Sequence, residues 1–134
     1  MLNGREWHKV DGATVSALAK LRDVAPVPLS ESYFSLLSFS NGGEGPLPVQ
    51  PLWLCLYSAE EVIHFHQQGT FKEFFDGVFV IGGNGGGEAV AFDLTSKPYP
   101  VVSFDMTNIN IDESVRPIAH NFEALLDLIG LTSL

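Results

Sequence analysis

The chain has 134 residues, 46% of them hydrophobic and ten of them Phe, with 16 acidic against 7 basic side chains and a formal net charge of -9. That is enough apolar mass to form one folded domain, residues 1–134, and it is not the composition of a disordered segment. The charge disfavours direct binding to nucleic acid or an anionic membrane, and no apolar run approaches the ~18 residues of a membrane span. An acidic surface suits a basic partner, although it also serves simply to keep a small domain soluble. Cys55 is the one cysteine, so no internal disulfide forms. MLNGREWHKV lacks the apolar run of a secretory signal, and the expected compartment is a reducing cytosol.

In chain order, Val15, Leu18, Ala19 and Arg22 fall at helical spacing behind Thr14, a residue type that caps helix N-termini. Pro26 and Pro28 stop that helix. Ser30 opens a second, which carries Tyr33, Phe34, Leu36 and Leu37 and is expected to end at Asn41-Gly42-Gly43. GEGPLPVQP has a loop composition. Residues 52–57, LWLCLY, predict a short strand buried on both faces. Ser58 and Glu61 form a capping box for a helix to about Gln68, with Val62, Ile63 and His66 inward and Gly69 at its end. FKEFF (71–75) suggests a short aromatic turn or one helical turn over the core. Val78–Ile81 and Glu88–Leu94 predict a hairpin, Tyr99–Asp105 a further strand, and NINIDES a loop or bulged edge. The last helix is expected from Ile118, Phe122, Leu125, Leu126 and Ile129, between Pro117 and Gly130. Short consecutive strands with flanking helices predict an α+β fold, a central mainly antiparallel sheet with helices packed on it.

The run IGGNGGGE (81–88) invites a phosphate-loop reading and fails it. Gly82 and Gly87 have the spacing of G-x-x-x-x-G-K-[ST], but Glu88 and Ala89 replace the lysine that neutralises phosphate and the hydroxyl that holds magnesium. The dinucleotide pattern fails too, because Glu88 stands where its third glycine belongs, and no helix follows to aim its dipole at an anion. The run is expected to be a hairpin turn with several positive-φ positions, supplied by glycine and Asn84.

Four segments, taken in order, resemble the SUKH superfamily, which includes the yeast cell-wall-assembly regulator domain and many bacterial immunity proteins. They are PVPLSESYFSLLSFSNGG, LWLCLYSAEEVIHF, FVIGGNGGGEAVAFDL and VRPIAHNFEALLDLI. The third matches best, through its strand, glycine-rich turn, Gly87-Glu88 and the strand end Phe92-Asp93. The EGPLPVQP stretch after Asn41-Gly42-Gly43 departs from the pattern. The resemblance implies a non-catalytic domain without a cofactor, which binds protein. Its bacterial members typically neutralise toxins, many of them nucleases.

No catalytic, metal or cofactor site emerges from the residues themselves. His64 and His66 are two apart on a helix and point to different sides, so they cannot share a metal as an i, i+4 pair would. Cys55 has no local positive charge to make a thiolate, and no G-x-S-x-G elbow is present. Asp105, Asp112 and Glu113 could form an anionic patch, an ordinary solvated face or, less simply, paired acid–base carboxylates. Trp53 is expected in the core and Trp7 at the surface, as an interface anchor or as the dock of the N-terminus. The residues expected to read a partner are Asp105, Asp112, Glu113, Glu44 and Trp7. The expected function is toxin neutralisation by occlusion of a basic toxin domain. A regulatory or scaffold interaction domain and a small hydrolase using the clustered carboxylates are the alternatives.

Overall fold

A computed structural model describes residues 1–70, 77–107 and 114–134. Among the described residues the helices are α1 (Val15–Val24), α2 (Glu31–Phe39), α3 (Ala59–Gln68) and α4 (Phe122–Leu126). The strands are β1 (Gly43–Pro46), β2 (Trp53–Leu56), β3 (Val78–Gly83), β4 (Glu88–Asp93), β5 (Val101–Asp105) and β6 (Arg116–Ala119). The strands form one sheet in the order β1-β2-β3-β4-β5-β6, every neighbour antiparallel. The class is the α+β arrangement expected.

The helix starts follow from their caps. Thr14 accepts from Ala17, Ser30 from Ser32, and Ser58 with Glu61 closes the full capping box. Gly69 ends α3 at φ +68. The end of α2 differs from expectation. Its cap is Ser40 in extended backbone, and Asn41 instead holds the start of α3, accepting from the Ala59 amide (2.7 Å) and donating to Glu60 (2.8 Å). The buried face of α1 also differs. Val15 is 86% exposed and Leu21 fully buried, so Ala17, Leu18, Leu21 and Val24 form the inward stripe.

Two further corrections concern element type. Gly43–Pro46, within the expected loop, is an edge strand paired with β2. The last helix is short. Ile118 belongs to β6, and α4 starts only after Asn121, whose side chain accepts from Ala124. Ile118 therefore met the helical periodicity by coincidence. Pro117, which has no N–H to give, sits on the sheet's outermost strand, where a proline is tolerated.

The main core lies between the sheet and the helices. Tyr33 of α2 meets Phe92 and Phe122 edge-on, at 5.5 and 5.4 Å between ring centroids. Side chains alternate along the central strands, so Phe79, Ile81, Val90, Phe92 and Val101 join this core. Val80, Ala89, Ala91 and Phe104 form a second buried cluster on the opposite face. β2 departs from its expected two-sided burial. Leu54 and Leu56 are buried, while Trp53, Cys55 and Tyr57 are half-exposed on the other face.

The N-terminal segment straps the β1 edge. The His8 amide donates to Glu44 (2.8 Å), the Glu6 amide to Gly130 (3.0 Å), and the Arg5 guanidinium to the Ile129 carbonyl (2.7 Å). Trp7 lies over Gly45, where a Cβ would come within 2.8 Å of the indole ring. The fully buried Ser40 hydroxyl ties this together: it accepts from the Trp7 indole (3.3 Å) and the Val10 amide (3.2 Å) and donates to the Gly42 carbonyl (2.7 Å).

Candidate functional site

The glycine-rich hairpin spends its own donors. Asn84 Oδ1 accepts from the amides of Gly86 (2.8 Å), Gly87 (3.2 Å) and Glu88 (3.2 Å). Converging amides of this kind would hold an anion in a phosphate loop, but here the asparagine fills the nest. A strand follows the turn. Only Gly85, at φ +77, takes a left-handed conformation between β3 and β4, so the expected run of positive-φ positions is corrected to one. Gly82 answers a different demand, close approach of strands, since a Cβ there would lie 2.4 Å from the Cys55 carbonyl oxygen.

The acidic residues fall in separate places. Glu44 is exposed on β1 opposite Cys55, and the row continues through Gly83, Ala89 and Phe104 on the face opposite the main core. Asp105 ends β5 opposite Glu88, on the helix-side face by strand alternation. Four strand spacings separate Glu44 and Asp105, about 19 Å. Asp105 caps its own turn, accepting from the Thr107 amide (2.9 Å) and hydroxyl (2.7 Å). The Thr107 hydroxyl, followed by its amide, holds that carboxyl below its usual range, which suits an acceptor and not a general acid. Asp93 makes the same turn with Thr95 at the end of β4. Glu88 faces Arg116 across the sheet at 3.6 Å. Asp112, Glu113 and the FKEFF segment lie outside the described residues. Trp7 takes the docking role through Ser40 and Gly45.

What the structure does bring together is a surface on the outer face of β1 and β2. Trp53, Cys55 and Tyr57 project there at alternate positions, beside Glu44. Burial, with Glu44 next, pushes the Cys55 thiol up, opposed by a hydrogen bond from Trp53. The same order of causes, burial and then Glu61, raises the Tyr57 hydroxyl. Both acids therefore lie within electrostatic reach of this strip. Leu52 stands at its end, 52% exposed and at φ +72, a backbone conformation that costs a leucine about 1–2 kcal/mol. Trp53 was expected inside. The hairpin partner that decides which face of LWLCLY is covered is Gly43–Pro46, whose composition hides a strand.

The histidines do not converge. His8, His64 and His120 are exposed. His66 stacks on Phe79 at 3.9 Å and 13°, and its Nε2 is buried without a hydrogen-bond partner among the described residues. Burial lowers the His66 pKa, against a smaller opposing effect of its bond to the Val80 backbone. The neutral ring is the folded form, so its stabilisation is complete above the ordinary pKa of about 6.5 and is lost as pH falls through the lowered value. Urea unfolding at pH 7.5 and pH 5 should show lower stability at the acid end, and His66→Phe should flatten that difference. An unchanged difference in the variant would assign the acid sensitivity elsewhere. Among the described residues, no group of three or more His, Cys, Asp or Glu side chains is placed to hold a metal ion. No helix among them is long and apolar enough to cross a membrane.

The ordered set of a capped α2, the β2–α3 unit, the glycine hairpin and the β6–α4 close is now in place. The model of the SMI1 / KNR4 family (SUKH-1) matches residues 12–128. The chain belongs to this SUKH-1 family. No curated protein matches it significantly. SUKH domains are generally non-enzymatic, and the family points to protein–protein interaction. The N-terminal strap, up to Asp11, lies outside the matched region of this SUKH-1 domain.

Proposed function

We propose that this SUKH-1 domain is an immunity-type binding protein that neutralises a basic toxin domain by occlusion, with no bond made or broken. The observation that carries the reading is the outer strip of β1–β2, where half-exposed Trp53 and Tyr57 lie beside Glu44, with Leu52 exposed at the end. Aromatic anchors with an acidic neighbour are the make-up of an interface that recognises a basic protein. The net charge of -9 would speed encounter with such a partner. Cytosolic placement is part of the same proposal. Glu44 stays in the proposed site. Asp105 lies too far away to share it, and Asp112 with Glu113 stay among the residues proposed to read the partner.

The test is affinity capture with the full chain, followed by calorimetric titration of any basic toxin domain that it captures. Trp53→Ala and Glu44→Lys, each verified as folded, should weaken binding by about 2 kcal/mol or more, roughly thirtyfold. Undiminished affinity in both variants would remove the strip as the interface. A chain that instead captures several housekeeping proteins and no toxin would be a regulatory interaction domain.

A further inference from the structure

The chain contains three Asn-Gly pairs, Asn3-Gly4, Asn41-Gly42 and Asn84-Gly85. Each can undergo the same internal reaction. The glycine amide nitrogen attacks the asparagine Cγ, a C–N bond forms, and the side-chain nitrogen leaves as ammonia with the proton displaced from the glycine amide. Water then opens the resulting succinimide at either carbonyl, leaving aspartate or β-linked isoaspartate. Glycine favours the attack because no Cβ shields its nitrogen. The reaction also requires the side-chain amide to swing freely onto the backbone.

The fold withholds that freedom at two pairs. Asn41 is pinned at both side-chain atoms, by the Ala59 amide at 2.7 Å and Glu60 at 2.8 Å, and the Gly42 amide donates to the Ser40 carbonyl at 2.9 Å. Asn84 has its oxygen in the grip of three amides, all of which must be released before Cγ can turn. Asn3 is different. It is exposed, its side chain makes no hydrogen bond among the described residues, and a Cβ on Gly4 would meet nothing within 4 Å. The local turn, closed by the Arg5 amide on the Leu2 carbonyl at 3.1 Å, holds backbone and leaves the amide free.

We infer that Asn3 is a site of spontaneous, water-dependent deamidation in the folded protein, and that Asn41 and Asn84 are protected by their hydrogen bonds. Conversion adds one negative charge immediately before the strap that Arg5, Trp7 and His8 fasten to the domain. In the isoaspartate product it also lengthens the backbone there by one methylene. The inference is independent of the partner.

The test is incubation of the full chain at mildly alkaline pH, native and in guanidinium chloride, followed by peptide mapping with mass spectrometry. In the native protein Asn3 should convert at least about tenfold faster than either other site, since each of those must first break more than one hydrogen bond. In denaturant the three rates should converge. Native conversion of Asn41 or Asn84 at the Asn3 rate would overturn the inference. So would an intact Asn3, or a ranking that persists in the unfolded chain, because then local sequence and not structure sets the order.

Discussion

Gly82→Ala should destabilise the domain by about 3 kcal/mol or more, whereas Gly87→Ala, five residues away in the same glycine-rich segment, should change stability by less than about 1 kcal/mol. The difference is one of neighbours. A Cβ at Gly82 would stand 2.4 Å from the Cys55 carbonyl oxygen and 3.3 Å from its carbon, and both are backbone. β2 and β3 meet there through only two registered pairs, Cys55↔Gly83 and Leu56↔Gly82, so the strand cannot give way without loosening the junction between the sheet's two halves. At Gly87 a Cβ would meet nothing within 4 Å and the backbone is not left-handed. Gly85→Ala should fall between them, at about 1–2 kcal/mol, through its φ of +77. Thermal and urea unfolding of the three variants measure the order. Wild-type stability in Gly82→Ala would show that the strands can separate at no cost, contrary to the packing described.

Ser40→Ala should cost about 3 kcal/mol and release the N-terminal strap. The hydroxyl is fully buried and serves three groups at once, the Trp7 indole, the Val10 amide and the Gly42 carbonyl. Alanine fits the space but leaves donors and an acceptor without partners, at about 1–3 kcal/mol for each that water cannot reach. Loss of stability should come with faster amide exchange at His8 and Val10 and a changed Trp7 environment, read by near-ultraviolet circular dichroism. A destabilised variant whose strap stayed protected from exchange would place the role of Ser40 at the end of α2 alone.

How far the chain could be read in advance depended on whether a feature was settled locally. Helix starts were legible because a cap and its amide are two or three residues apart, as at Thr14, Ser30 and Ser58. The failed phosphate loop was legible because its missing lysine is a matter of residue identity. β1 was not. GEGP is a strand through its pairing with β2, and Gly45 gives room there to Trp7 and Glu6, tens of residues away in the chain. The outward face of β2 escaped for the same reason, and with it Trp53. Ile118 misled because one strand residue happened to stand four before Phe122. Of the acidic residues, Glu44 sits on the proposed strip, while Asp105 is engaged by Thr107 in a turn whose D-x-T spacing, repeated at Asp93-Leu94-Thr95, was there to be noticed.

The strictly sequential strand order has a consequence for how the domain is made. Each strand pairs with the one before it in the chain, so the sheet can be zipped from β1 to β6 as residues emerge during synthesis, at low cost in loop closure. The closing step is different in kind. Phe122 meets Tyr33 and Phe92, Glu123 takes the hydroxyls of Ser30 and Ser32, and the carbonyls of Ile129 and Gly130 receive Arg5 and Glu6. The last dozen residues thus join the two ends of the chain. A nascent domain stalled before Asn121 would already hold all six described strands, with its aromatic core open on one side. That is the form in which chaperones and proteases would meet it.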